Sequence, residues 1–427
     1  MKKQFDTGQS GRRRAGLLST TLSWFVFLAL FAGMATLQTS CDNILGSDDD
    51  AVPEISGVRY MHPDTAAVKG TPEKVGPGEM FVIEGKNLHK TERAYFNGVQ
   101  ATFNPALVTS SHMIIRIPGD MPFGEMDPDD EVMNTIRLVS KGGETVYQFP
   151  ILPPIPEITR VSKEFAEAGE TMRLEGNYLY MVEEVTFPGG ITTTDFEFPS
   201  DGTWLDVVVP DGVNEPGHIN VTTTSGTSDE TYQTMFNDST GIFINFNDKN
   251  PWNPWGTPGD DTPYVGDDIP GIEPLNGNYL HWLYDDPLTP GMWWFQSLAT
   301  QFLKDLDMEL PDFPDDTPTS ELVLRFEVNT PHDKFKSGYI QFSFDWWIEK
   351  DWNPFIVGGE RKPLVTDGWE TFTIGLDNFD RGAQATYGPM KNAGEFLLRY
   401  VNPGEPDGVA FEEVNIAFDN LRIVRKF

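Results

Sequence analysis

The feature that most restricts the fold of this chain is an internal repeat. Pro53-Glu54-Ile55 recurs as Pro156-Glu157-Ile158, and Phe81-Val82-Ile83-Glu84-Gly85-Lys86-Asn87-Leu88 recurs as Met172-Arg173-Leu174-Glu175-Gly176-Asn177-Tyr178-Leu179. Tyr95-Phe96-Asn97-Gly98 parallels Thr186-Phe187-Pro188-Gly189, and Ile115-Arg116-Ile117-Pro118 parallels Val207-Val208-Val209-Pro210. Each copy is built of short alternating or apolar runs broken by Gly, Pro or Asn-Gly, the pattern of an antiparallel β-sandwich. With 40 Gly and 33 Pro in 427 residues, turns are frequent throughout, so an all-β chain of several domains is expected.

The Pro-x-Ile opening, the Glu-Gly-Asn-Leu-like turn, the Phe-x-Gly turn and the Val-x-Val-Pro strand end resemble the immunoglobulin-like TIG/IPT domain, over 52–152 and again over 154–236. Neither unit carries a site in its sequence: His62, His89, His112 and His218 are scattered without metal-ligand spacing. The proline-rich junction from Pro150 to Pro156 reads as stiff, and the two units as a spacer.

Residues 1–40 read as an export signal. Lys2, Lys3, Arg12, Arg13 and Arg14 precede an apolar stretch running to Leu37, and Gln38-Thr39-Ser40 lead to Cys41, the one cysteine of the chain. This resembles a bacterial lipoprotein cleavage site, although Leu37 sits one position upstream of its usual place. The reading is lipidation at Cys41 and an outer-membrane anchor facing the cell exterior; an uncleaved signal anchor is the alternative. An acidic tether follows over 41–51, with Asp42, Asp48, Asp49 and Asp50, similar to the surface-export stretch of Bacteroidetes lipoproteins. Removing 1–40 leaves 26 basic against 64 acidic residues, a net charge of −38. Such a surface repels phosphate backbones and anionic polymers at long range, which excludes nucleic acid and leaves neutral polymers as partners.

The chemistry lies in 237–427. Nine of the 11 tryptophans fall there: Trp252, Trp255, Trp282, Trp293, Trp294, Trp346, Trp347, Trp352 and Trp369. Period-2 alternation at 322–328 and 340–344 marks sandwich strands, with 296–307 the one expected helix. With Ile340, Phe342 and Phe344 inward, Gln341, Ser343, Asp345 and Trp347 face outward, as do Arg325 and Glu327 on the neighbouring strand. Trp346 continues the core face, unless the strand bends beyond Asp345 and puts both indoles in a loop. Pyranose rings stack their C–H faces on aromatics and need hydrogen bonds at their rims. The candidate glycan-binding set is therefore Trp347, Trp346, Trp352, Trp294, Trp293, Arg325, Gln341 and Asp345. Trp369 reads as structural, and Trp252 and Trp255 as either loop anchors or ligand contacts.

Gly368-Trp369-Glu370-Thr371-Phe372-Thr373-Ile374 and Phe418-Asp419-Asn420-Leu421-Arg422-Ile423 resemble the late strands of jelly-roll carbohydrate-binding modules. The whole order is similar to the surface glycan-binding proteins of Bacteroidetes polysaccharide-utilisation systems, the xyloglucan-binding type in particular. That resemblance implies two immunoglobulin-like sandwiches followed by a jelly roll, no catalysis, a neutral polysaccharide or oligosaccharide as ligand, and an outer-membrane importer complex as partner. It also implies that the platform aromatics correspond to Trp346 and Trp347 and, after them, to Trp293 or Trp294. No cofactor is expected; a structural calcium, as in some jelly rolls, would draw on Asn247, Asp248 and Asp419. Two rival readings stay open: a jelly-roll glycoside hydrolase, whose best carboxylate pair is Asp345 and Glu349, and an adhesin gripping a protein through its tryptophans.

Overall fold

In a computed structural model the described residues are 50–61, 72–254, 264–284, 299–306, 308–330, 338–354, 356–357, 360–401 and 414–426. The chain is all-β, as expected, and among the described residues its one α-helix is the single turn Gly388–Lys391.

The two repeat units have equivalent frames. In the first, Glu54–Tyr60, Met80–Lys86 and His112–Arg116 form one sheet, and the four strands Val99–Ala101, Arg93–Phe96, Thr135–Ser140 and Gly143–Gln148 another. Phe81, Ile83, Phe96, Ile115 and Leu138 fill the space between. In the second, Glu157–Val161, Thr171–Asn177, Trp204–Val208 and Phe196–Glu197 face the sheet containing Val182–Phe187 and Asn220–Thr223, across Leu174, Val185, Phe187, Val207 and Val221.

The Gly of the repeated Glu-Gly motif has the same physical cause in both units. A Cβ on Gly85 would sit 1.8 Å from the Glu54 carbonyl oxygen, and one on Gly176 would sit 2.1 Å from that of Glu157. Each first strand bulges there, between Ile55 and Gly57 or between Ile158 and Arg160, bringing its backbone onto the glycine.

The C-terminal domain is a sandwich of two antiparallel sheets. Its strands are β1 (Ile242–Ile244), β2 (Trp252–Pro254), β3 (Tyr264–Gly266), β4 (Tyr279–Tyr284), β5 (Ala299–Leu303), β6 (Leu322–Asn329), β7 (Tyr339–Phe344), β8 (Ile348–Trp352), β9 (Glu370–Gly375), β10 (Glu395–Val401) and β11 (Val414–Arg425). One sheet runs β3-β4-β11-β6-β9 with β1 beside β11; the other runs β2-β5-β10-β7-β8. Phe243, Trp282, Phe326, Phe342, Phe344, Phe396 and Phe418 lie fully buried between them. The alternation of β6 and β7 holds: Leu322, Leu324, Phe326 and Val328, with Ile340, Phe342 and Phe344, all point into this core.

The expected helix over 296–307 does not form. Ala299–Leu303 is β5, pairing with β10 from Ala299↔Arg399 to Leu303↔Glu395, and only Lys304–Leu306 make a 3-10 turn. The backbone pairs with β10 along all five residues and Phe302 packs against Phe396, so tertiary pairing overrides the local preference.

Every residue of β6 is buried on both faces, because the second unit covers the outer one. Arg325 reaches across to the Tyr232 carbonyl at 2.7 Å and pairs with Glu164, both side chains 4% exposed or less. Arg422 on β11 pairs with Glu327 at 2.7 Å and with Glu164. Arg160 joins Glu370 at 2.8 Å, Lys163 joins Asp367 at 3.1 Å, and the Thr371 N–H donates to the Ser162 carbonyl at 2.7 Å. Burial works against the Arg422 charge, but Glu327 and Glu164 outweigh it and hold its pKa above the usual arginine value.

Candidate functional site

The hairpin between β7 and β8 presents the indoles. Phe344 and Ile348 are the last paired residues, so Asp345, Trp346 and Trp347 form a three-residue loop. Strand alternation therefore ends at Phe344, and Trp346 leaves the core face. Asp345 and Trp346 both take left-handed backbone conformations, φ 50° and 63°. Such angles cost a bulky residue of order 1–3 kcal/mol each and persist only where the surroundings impose them. Here Asp345 Oδ1 accepts from the Gly394 N–H at 2.8 Å and the Glu395 N–H at 3.2 Å, while the Asp345 N–H donates to the Glu395 carbonyl. Asp345 is a brace for the loop.

Trp347 stands at the tip, 50% exposed, the most exposed of the described tryptophan side chains. Gly382 passes directly beneath it: a Cβ there would lie 2.1 Å from the Trp347 carbonyl oxygen and 3.0 Å from the indole ring. The neighbouring Arg381 backbone bonds both ways with Glu349, its carbonyl accepting at 2.8 Å. Trp346 lines a concavity of about 410 Å³ on the outer face of this sheet, together with Tyr339, Gln341, Glu349, Arg381, Arg399 and Val401.

Register explains that grouping. Gln341 pairs with Asp351 on β8 and Arg399 on β10, so the three share one row of the outer face; Ser343, Glu349 and Leu397 form the next. Gln341 donates to Asp351 at 2.9 Å and accepts from Arg399. Arg381 bridges Glu349 at 3.1 Å and also pairs with Asp351, while Arg399 lies 3.7 Å from Glu349 and its guanidinium 5.8 Å from the Trp346 ring centre. Burial lowers the Arg399 pKa, opposed by Glu349 and other neighbours. Burial raises that of Glu395, countered by a hydrogen bond with Trp346. The Ser343 hydroxyl is buried with no partner on this face. The surface thus offers one flat apolar ring at a rim, and fixed donors and acceptors below it.

The sequence-derived candidates divide accordingly. Trp347, Trp346, Gln341 and Asp345 come together. Gln341, expected to face ligand, is 1% exposed and is the floor that orients Asp351 and Arg399. Trp352 is corrected: its ring meets Phe326 and Phe372 at 5.1 Å and Phe342 at 6.2 Å, at the edge of the core rather than on the platform. Arg325 is also corrected. It leaves the core as its alternation requires, but on the opposite sheet and sealed beneath the second unit. Trp293 and Trp294 lie outside the described residues, in the 285–298 segment joining β4 to β5, and Trp255 likewise. Trp369 is 9% exposed, donates to the Glu273 carbonyl at 2.8 Å and meets Tyr279 edge-on.

Asp351, Arg381, Arg399 and Tyr339 were missed, and Glu349 was weighed only as half of a hydrolase pair. Outward alternation on 348–352 would have found the two acids. Arg381 sits in a loop whose approach is readable only in three dimensions.

The rival carboxylate pair is committed elsewhere: Asp345 to backbone N–H groups and Glu349 to two arginines. The calcium donors do not form a set either. Asn247 accepts from the Asn278 N–H at 2.8 Å and donates to Asn276, Asp248 is exposed beside Asn245, and Asp419 is fully buried. Among the described residues no three His, Cys, Asp or Glu side chains gather as a cation site.

Residues 236–425 match the family model of the surface glycan-binding protein B xyloglucan binding domain. An IPT/TIG domain-containing protein of Bacteroides ovatus is 33% identical over 147 residues, 34% of this chain and 29% of that relative, so the chain spans under a third of its length. The crystal structure of the surface glycan-binding protein PbSGBP-B from Prevotella bryantii shares the fold, with a TM-score of 0.71 at 17% identity, covering 88% of this chain and 99% of that one. The family match thus covers the C-terminal domain, and the structural likeness extends the fold over the two units before it.

Proposed function

We propose that this chain is a non-catalytic, lipid-anchored surface protein that captures a neutral, β-linked polysaccharide for an outer-membrane uptake system. In this reading Cys41 carries the anchor, the units at 52–152 and 154–236 project the ligand-binding domain of 237–427, and the glycan lies across Trp347 and Trp346. The observation that carries it is the Trp347 indole, half exposed at the tip of a braced hairpin, next in the chain to Trp346, which lines a polar concavity. An indole beside hydrogen-bonding groups suits a pyranose, whose C–H face stacks on an aromatic ring while its hydroxyls bond at the rim. The family match over 236–425 supports xyloglucan as the first polymer to try.

Affinity electrophoresis with xyloglucan and mixed-linkage glucan, alongside a reducing-end assay, tests the reading. The expected outcome is retardation without release of reducing sugar. Trp347→Ala should weaken binding at least tenfold, or about 1.4 kcal/mol, with an unchanged melting profile. Normal retardation of a folded Trp347→Ala protein, or steady sugar release by the parent, refutes the proposal.

A further inference from the structure

Arg381, Arg399 and Glu349 line the concavity, and Asp351 stands beside them, paired with Arg381 and bonded to Gln341. Arg399 and Glu349 are nearly buried, with 10% and 13% of their side chains exposed; Arg381 and Asp351 are more open, at 47% and 37%. Their formal charges cancel. A cleft with two arginines is the usual recognition device for a carboxylate, because the planar fork offers paired donors. Here each guanidinium already faces an acid of this chain, Arg381 both Glu349 and Asp351. Their remaining N–H groups can donate to hydroxyls, whereas an incoming carboxylate meets two resident ones.

We propose that Glu349 and Asp351 make this concavity selective for uncharged sugars, cancelling arginines that would otherwise hold uronate groups. This deepens the glycan-binding reading and rests on it. The chain's overall charge of −34 cannot by itself impose the selectivity at contact distance. Charges beyond about 10 Å are largely screened in ordinary salt, while those within 4–6 Å of a bound sugar are not. Glu349→Gln changes the total by one unit but leaves the local balance positive.

The test measures binding of the purified protein, Glu349→Gln and Asp351→Asn to xyloglucan, polygalacturonate and glucuronoxylan, at 50 and 300 mM NaCl. The parent should bind the neutral polymer and neither uronate polymer. In each folded variant the ratio of uronate to neutral affinity should rise at least tenfold at 50 mM and fall back at 300 mM. Adding Arg381→Ala to either variant should abolish the gain. Asp351 is the more exposed acid, so Asp351→Asn decides the matter if Glu349→Gln does not fold. The proposal is overturned if the parent binds polygalacturonate as well as xyloglucan, or if the folded variants show no change in ratio. If the parent binds no neutral glycan by a Trp347-dependent route, the underlying reading has failed and this proposal falls with it. A Trp347-dependent parent with unresponsive acid variants sinks the selectivity claim alone.

Discussion

At the residue scale, Gly382 and Asp419 show how single positions are fixed by their surroundings. Gly382 has φ 64° and abuts the Trp347 backbone, so Gly382→Ala faces both a left-handed penalty and a clash. It should lower stability by about 1–3 kcal/mol and weaken glycan binding together, as measured by urea unfolding and affinity electrophoresis. Asp419 has no solvent exposure; burial holds its pKa well above the usual carboxylate range, with the Asn420 N–H pulling the other way. A raised folded-state pKa means stability present below the unfolded value and lost as pH rises through the folded one. Asp419→Asn should therefore be more stable than the parent at pH 7, with the gap closing toward pH 4, as thermal melts across that range will show. Neither property was legible from the chain: Asp419 read as a possible ion ligand, and the Gly382 contact spans 35 positions.

At the element scale, strands were the most readable feature and the hairpin loop the least. Alternation correctly put Phe342 and Phe344 in the core because both faces of β7 have distinct fates. It failed at Trp346, since the backbone turns left-handed one residue after the last ladder pair. It was also silent on what covers an outward face, which is why Arg325 was placed in solvent; Trp352 was misplaced because 348–352 was not read as a strand, on which it shares the inward parity of Ile348. The brace at Asp345 makes its own prediction. Asp345→Ala removes the acceptor for the Gly394 and Glu395 N–H groups and should loosen the loop. Binding should fall several-fold while the core, monitored by near-UV circular dichroism, stays intact.

At the scale of the whole molecule, the repeat fixed two equivalent frames and the tryptophan-rich tail a third, but nothing in the sequence announced how the second and third meet. Their junction carries Glu164, Arg325, Glu327 and Arg422, all 3% exposed or less. Removing one member of such a set leaves charge uncompensated away from water, at a cost of about 3–5 kcal/mol. Glu164→Ala should split a shared unfolding transition into two, seen by calorimetry.

Because those four side chains interlock rather than merely touch, turning the joint would strip buried charges of their partners. In the proposed reading, a polymer strand lying over the hairpin crosses the last two domains at one heading. Copies held side by side by the proposed anchor would then act less like loose hooks than like the teeth of a comb.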